Sequence, residues 1–325
     1  MHVPRPLIGL ALGSGVARGW AHIGVLHALA AAGIRPDIVV GTSIGALVGG
    51  VYSANKLPVL EDWARSLSRR GIWRYLDLRF SGGGLIGGER LAGVLDEHLG
   101  GIQVEHLPLR YASVATELAT GHEIWLRKGR LTDAVRASYA LPGVFTPIRT
   151  DEGWLVDGAL VNPVPVSVCR ALGARLVIAV NLNADVFGKS RAQDPTHDPG
   201  LDLFGNGDNG VLSALKPQAI IARQLFGRDR DVPSLFSVMV GSLNIVQDRL
   251  SRSRLAGDPP DVTIAPRLGD VGLLEFDRAE EMIDEGRAAA ERALPFLREA
   301  LAVIGAVSDA TPEADQVAAW DRATD

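Results

Sequence analysis

Two short apolar runs, each closed by glycines and followed by an apolar helical stretch, decide what the first fifty residues can become. Leu7-Ile8-Gly9-Leu10-Ala11-Leu12 is continuous and short, as a strand buried on both faces must be. Gly13-Ser14-Gly15-Val16-Ala17-Arg18-Gly19 follows as a loop. Trp20 to Ala32 then predicts a helix, with Gly33 at its C-cap. Ile34 to Val40 predicts a second strand, Gly41 to Gly45 a turn, and Ala46 to Ala54 a short helix. Two consecutive strand–loop–helix units call for a parallel sheet covered by helices. The expected fold is therefore α/β: three layers, with a mostly parallel central sheet and helices on both faces. The interval between Asp37 and Lys56 carries no charge. Its four glycines and internal turn make it a strand, turn and helix rather than a membrane span.

Composition narrows the function classes. Of 325 residues, 47% are apolar and 22% charged, which excludes a disordered chain. The net charge of −5 gives no electrostatic case for a nucleic-acid partner. A single cysteine, Cys169, excludes an internal disulfide and a multi-cysteine metal site. A reducing, cytoplasmic setting is expected, with membrane contact only peripheral and transient, at the inner face. The oligomeric state leaves no trace in the sequence.

The chain divides into a core over 7–182, a loop or cover segment over 183–210, a mainly helical extension over 211–307 and a polar tail over 308–325. Within the core, strands are expected at 110–118, 123–126, 154–156 and 176–180, and helices at 61–70, 91–99 and 131–139. Beyond it, Met239, Leu243, Val246 and Leu250 form one apolar stripe on a helix. A short strand is expected at 261–265, then a long helix over 275–307 broken at Pro295. Residues 73–88 set Trp73, Tyr75 and Phe80 beside a glycine cluster and read as a lid; 184–240 adds a second cover.

Gly41-Thr42-Ser43-Ile44-Gly45 is G-x-S-x-G between an apolar strand and an apolar helix. That pattern exposes a serine hydroxyl on a sharp turn, with Gly41 and Gly45 relieving the crowding. The helix N-terminus would stabilise a developing oxyanion. A plain Gly/Ser turn would look the same in isolation. The loop from Gly13 to Gly19 lacks the Gly-Lys-Ser/Thr ending of a phosphate-binding loop. Its Gly13 and Gly15 begin a dinucleotide fingerprint, but the third glycine position is Arg18. An oxyanion loop fits better, since it needs small residues and backbone N–H groups but no lysine. Asp157-Gly158-Ala159 matters as a partner for Ser43, since a carboxylate in a partly dry site can take a hydroxyl proton. A triad of Ser43, Asp157 and His197 can also be written, although Ser43 follows only the second strand.

Taken together, the glycine loop 13–19, the Ser43 turn and Asp157-Gly158-Ala159 resemble the patatin-like phospholipase family, above all its small bacterial members. Ala21-His22-Ile23-Gly24-Val25-Leu26 resembles that family's first helix, and Ser138 to Pro147 its segment before the aspartate. The resemblance implies a serine hydrolase of lipid acyl esters that works through a Ser43–Asp157 dyad without histidine. It places the oxyanion on the Gly13, Ser14, Gly15, Val16, Arg18 and Gly19 loop, chiefly at the Gly15 and Val16 N–H groups. Gly41, Gly45 and Gly158 would support the geometry. No cofactor or metal is implied, and calcium independence is expected, since no acidic loop of calcium-site spacing appears. Ser14 and Val16 depart from the family loop, which usually has glycine there; side chains at these places call for negative φ or cost strain. Arg18 reads either as a surface cation paired with a carboxylate or as a lipid-headgroup contact. Two other readings remain at this stage: a binding protein that keeps the fold without turnover, and a nucleotide-binding protein.

Overall fold

The computed structural model describes residues 5–68, 84–86, 88–151, 153–185, 235–272 and 274–305. In chain order these form β1 (Ile8–Leu12), a 3-10 turn (Val16–Trp20), α1 (Ala21–Ala31), β2 (Ile38–Thr42), α2 (Ile44–Ser53) and α3 (Leu57–Ser66). There follow β3 (Gly84–Ile86), α4 (Glu89–Leu99), β4 (Arg110–Glu117), β5 (Glu123–Leu126), α5 (Leu131–Ser138), β6 (Gly143–Phe145) and β7 (Ile148–Thr150). The rest are β8 (Gly153–Asp157), α6 (Val166–Ala171), β9 (Leu176–Val180), α7 (Leu235–Gly257), β10 (Val262–Ile264) and α8 (Ala279–Val303).

The main sheet runs β10-β9-β1-β2-β4-β8-β7, with β5 also paired to β4. The strands from β10 to β4 are parallel, and β5, β8 and β7 are antiparallel additions. β1, β2 and β9 are buried at every residue, which explains their unbroken apolar runs. One large apolar cluster joins one face of the sheet to α1, α2 and α8; a second joins the other face to α6. The three-layer α/β expectation is the architecture observed.

Beyond the core, β10 and α8 are built into this body. β10 extends the sheet from β9, and α8 lies along α1. In that contact each helix sets a glycine against the backbone of the other. A Cβ on Gly24 would stand 1.8 Å from the Ile283 carbonyl oxygen, and one on Gly286 would stand 2.0 Å from that of Ala21. Only glycine lets the two backbones approach so closely.

Several boundaries differ from expectation. β2 begins at Ile38 and includes Gly41 and Thr42, so the turn starts at Ser43 itself. The reason lies in register, since Gly41 and Thr42 still pair with Ser113 and Val114 of β4. α8 does not break at Pro295. Pro295 and Glu291, whose carbonyl it leaves without a donor, both lie on the exposed side of the helix. Ala289, Ala290, Ala293, Leu297 and Leu301 hold the opposite face in the core. The expected lid lies outside the described residues except for β3 and Gly88, and so do residues 186–234 of the second cover. Among the described residues, no helix is long and apolar enough to cross a membrane.

Candidate active site

Strand pairing explains why two residues 114 positions apart meet. On β4, Val114 pairs with Thr42 of β2 on one side and Trp125 of β5 on the other. The next residue, Ala115, pairs with Ile124 of β5 and Asp157 of β8. β2 and β8 therefore approach head to head along the same edge of β4. Their last residues, Thr42 and Asp157, sit against adjacent positions, and Ser43 follows at the junction.

Ser43 has φ 58 and ψ −123, a conformation that L-residues rarely adopt. Its neighbours force and permit it. A Cβ on Gly41 would lie 2.3 Å from the Gly45 carbonyl oxygen, and one on Gly45 would lie 2.2 Å from that of Leu12. The Ser43 N–H donates to Ser138 Oγ at 2.9 Å, and the Ser138 hydroxyl donates to the Val114 carbonyl at 2.5 Å. Thr42 Oγ1 donates to the Asn162 carbonyl at 2.8 Å. Turn and sheet are thus locked around the serine, which is 7% exposed.

The Ser43 hydroxyl donates to Asp157 Oδ2 at 2.6 Å. Asp157 Oδ1 accepts the Ala159 N–H at 2.8 Å. The Asp157 backbone is pinned as well: its N–H donates to the Ala140 carbonyl at 3.0 Å, and its carbonyl accepts from Thr116 Oγ1 at 2.9 Å. Gly158 follows because a Cβ there would stand 2.1 Å from the Val114 carbonyl oxygen. Burial pushes the Asp157 carboxyl up to about 7, against the opposing pull of the Ser43 and Ala159 hydrogen bonds. This direct contact leaves no room for an imidazole between the Ser43 hydroxyl and Asp157 Oδ2. His197 lies outside the described residues.

The glycine loop stands beside this pair at the end of β1. Gly13 N–H donates to the Val180 carbonyl at 3.0 Å and Ser14 N–H to that of Pro163 at 2.9 Å, so neither is available to a ligand. The N–H groups of Gly15 and Val16 have no acceptor among the described residues. Val16 sits at φ 53, in the left-handed region, and not at the negative φ its side chain calls for. Gly19 provides contact rather than a donor, since a Cβ there would stand 2.0 Å from Ile44 Cγ1. Arg18 is buried, not on the surface, and its Nε donates to the Val271 carbonyl at 3.0 Å. That bond ties the loop to the segment between β10 and α8.

Sequence reasoning missed three contributors. Ser138 was visible only as part of a resembling segment, and its hold on Ser43 crosses 95 residues. His22 is fully buried, and its Nε2 bonds the Gly13 carbonyl at 2.8 Å; burial lowers the ring to about 4, so it is neutral and donates. Gln247, on α7, reaches Ser14 Oγ at 3.3 Å. Among the described residues, no three His, Cys, Asp or Glu side chains converge as a metal site requires.

Comparison with known proteins identifies the family. The profile described as patatin-like phospholipase matches residues 10–170. An NTE family protein of Mycobacterium tuberculosis is 34% identical over 329 aligned positions, which cover 89% of this chain and 91% of the relative. The chain belongs to the patatin-like phospholipase family. Lysophospholipase NTE1 of Pyricularia oryzae is 29% identical across 86% of this patatin-like chain, a match that spans only 18% of the fungal protein. The crystal structure of VipD from Legionella pneumophila superposes with a TM-score of 0.52 at 13% identity, covering 90% of this chain and 67% of VipD, which supports the patatin-like fold.

Proposed function

We propose that this patatin-like protein hydrolyses carboxylic esters of fatty acyl lipids, with Ser43 as nucleophile and Asp157 as general base. The observation that carries the reading is the 2.6 Å bond from the strained Ser43 hydroxyl to a buried carboxylate near neutral pKa. A carboxyl at its ordinary value is a weak base at pH 7, and one near 7 accepts a proton far more readily.

The steps follow from the atoms present. Ser43 Oγ attacks the acyl carbonyl carbon while its proton passes to Asp157 Oδ2. The carbonyl oxygen becomes an oxyanion, received by the Gly15 and Val16 N–H groups at a helix start. On collapse, the ester C–O bond breaks and Asp157 returns the proton to the leaving alkoxide. An acyl group remains on Ser43. Asp157 then takes a proton from water as the water oxygen attacks the acyl carbon. The Ser43–acyl bond breaks, Ser43 recovers that proton, and the acid is released.

The substrate class is a lipid carrying a fatty acyl ester: phospholipid, lysophospholipid or a simpler acyl ester. Lipid contact is peripheral in this reading, and the setting cytoplasmic. The test is hydrolysis of p-nitrophenyl esters of increasing chain length by wild type, Ser43→Ala, Asp157→Asn and His197→Ala, each checked for folding. Loss of turnover in the first two variants and its retention in the third supports the dyad. A dead His197→Ala overturns it. An inactive wild type that no fluorophosphonate labels at Ser43 points instead to a binding protein that keeps the fold.

A further inference from the structure

Taken peptide by peptide, the loop from Gly13 to Val16 separates into held and open groups. The Gly13–Ser14 peptide is fixed at both ends, by His22 on its carbonyl and by Pro163 on its N–H. The Gly15–Val16 peptide is held at its carbonyl, which accepts the Arg18 N–H at 3.2 Å. Between them lies the Ser14–Gly15 peptide. Its carbonyl accepts from Asn183 Nδ2 at 3.4 Å, and its N–H is the Gly15 group left open. A trans peptide is planar and points its C=O and N–H to opposite sides. Whatever grips the Ser14 oxygen therefore aims the Gly15 N–H.

Asn183 is placed for that grip. It is 1% exposed and sits just past β9. Its own N–H donates to Asn181 Oδ1 at 3.0 Å, and the Asn181 N–H donates to the Ile264 carbonyl of β10 at 3.0 Å. The amide is thus anchored to the sheet edge. Its Oδ1 is buried with no partner among the described residues, which is costly for a residue serving only to fill space. The Nδ2 contact to Ser14 is what the side chain achieves there. Gln247 adds a second hold on the same residue, through the Ser14 hydroxyl. Both Asn183 and Gln247 lie outside the stretch matched by the family profile.

We infer that Asn183 is a positioning residue that aims the Gly15 N–H at the developing oxyanion. The inference rests on the proposed esterase reading, because it needs an oxyanion to act on. By drawing on the Ser14 carbonyl, Asn183 also polarises the N–H across the same peptide. It never touches substrate.

The test uses the full-length protein with Asn183→Leu, which removes the donor, and Asn183→Asp, which keeps the shape and turns the donor into an acceptor. Turnover of p-nitrophenyl butyrate is expressed per site labelled by a fluorophosphonate, so misfolded protein drops out. Both variants are expected to lose kcat by about tenfold with KM little changed, less than the roughly 100- to 1000-fold that outright loss of an oxyanion donor costs. A trifluoromethyl ketone, which forms a tetrahedral oxyanion on the serine, should weaken by the same factor. A non-reactive ether of equal chain length should bind as before. A purely structural role would lower melting temperature and labelled fraction while leaving kcat per labelled site intact, and that result overturns the inference. If the leucine variant does not fold, the aspartate variant carries the test. Wild type lacking Ser43-dependent turnover defeats the esterase reading and this inference with it; active wild type with undiminished Asn183 variants defeats the inference alone.

Discussion

Replacing Asp157 with Asn should abolish turnover and make the protein more stable, by an amount that grows with pH. In the folded state the carboxyl titrates at about 7, against an ordinary 3.8, because burial disfavours its charge. Between those values the folded chain holds a proton that the unfolded chain has released, so stability falls as pH rises. The shift of roughly three units corresponds to about 4 kcal/mol of folding free energy lost once pH is above both values. Asn carries no such cost. Its Oδ1 can accept the Ala159 N–H and its Nδ2 can donate to Ser43 Oγ, so both contacts of Asp157 survive in altered form. Urea denaturation at several pH values, read as the difference between variant and wild type, is the suitable assay. The comparison must be a difference because His22, lowered to about 4, acts with opposite sign: its contribution is present above about pH 6.5 and is lost as pH falls toward 4. The two nearly cancel in wild type, while the subtraction leaves Asp157 alone. The gap should widen by about 3 kcal/mol from pH 4 to pH 7 and flatten above. A gap that stays constant or narrows as pH rises would refute the claim that burial governs this carboxyl.

The same titration sets activity: kcat/KM for a neutral ester should climb with pH, pass half its maximum near 7 and level off about one unit above, and a flat profile from pH 5 upward would exclude Asp157 as the base. Val16→Gly should raise stability by about 1 kcal/mol in a thermal melt, because relief of the left-handed valine exceeds the added chain entropy of glycine. Gly286→Ala should destabilise by about 3 kcal/mol in urea, since the new methyl meets the Ala21 carbonyl. An unchanged denaturation midpoint would mean that α8 can shift away from α1 at little cost.

What the sequence reveals about this molecule tracks how local the constraint is. The Ser43 turn and Asp157-Gly158 were legible because their glycines answer steric demands within a few residues or against one neighbouring strand. The alternation of strands and helices was legible because buried parallel strands are apolar throughout. The start of the Ser43 turn was misjudged by two residues, since only pairing with β4 reveals that Gly41 and Thr42 are still strand. The Pro295 break was a sound local expectation that a continuous apolar face overrides. Ser138 showed only as part of a resembling segment, and Asn183 and Gln247 had no local signature at all: their partners lie 95, 169 and 233 residues away, and the contacts exist only once the sheet and α7 are in place.

The head-to-head meeting of β2 and β8 makes the site a gauge of register. Strand pairing is quantised in single residues, and each step turns a side chain to the opposite face. Sliding β8 by one position along β4 would bring either Val156 or Gly158 opposite Ala115, and neither carries an ionisable group. No intermediate placement yields a weaker carboxylate contact; the proton acceptor is either at the serine or absent. Partly mispaired molecules should therefore contribute nothing to turnover instead of a reduced share. In a refolding reaction, regained activity would count molecules with the correct β4–β8 register one by one, while regained helix signal would run ahead of it.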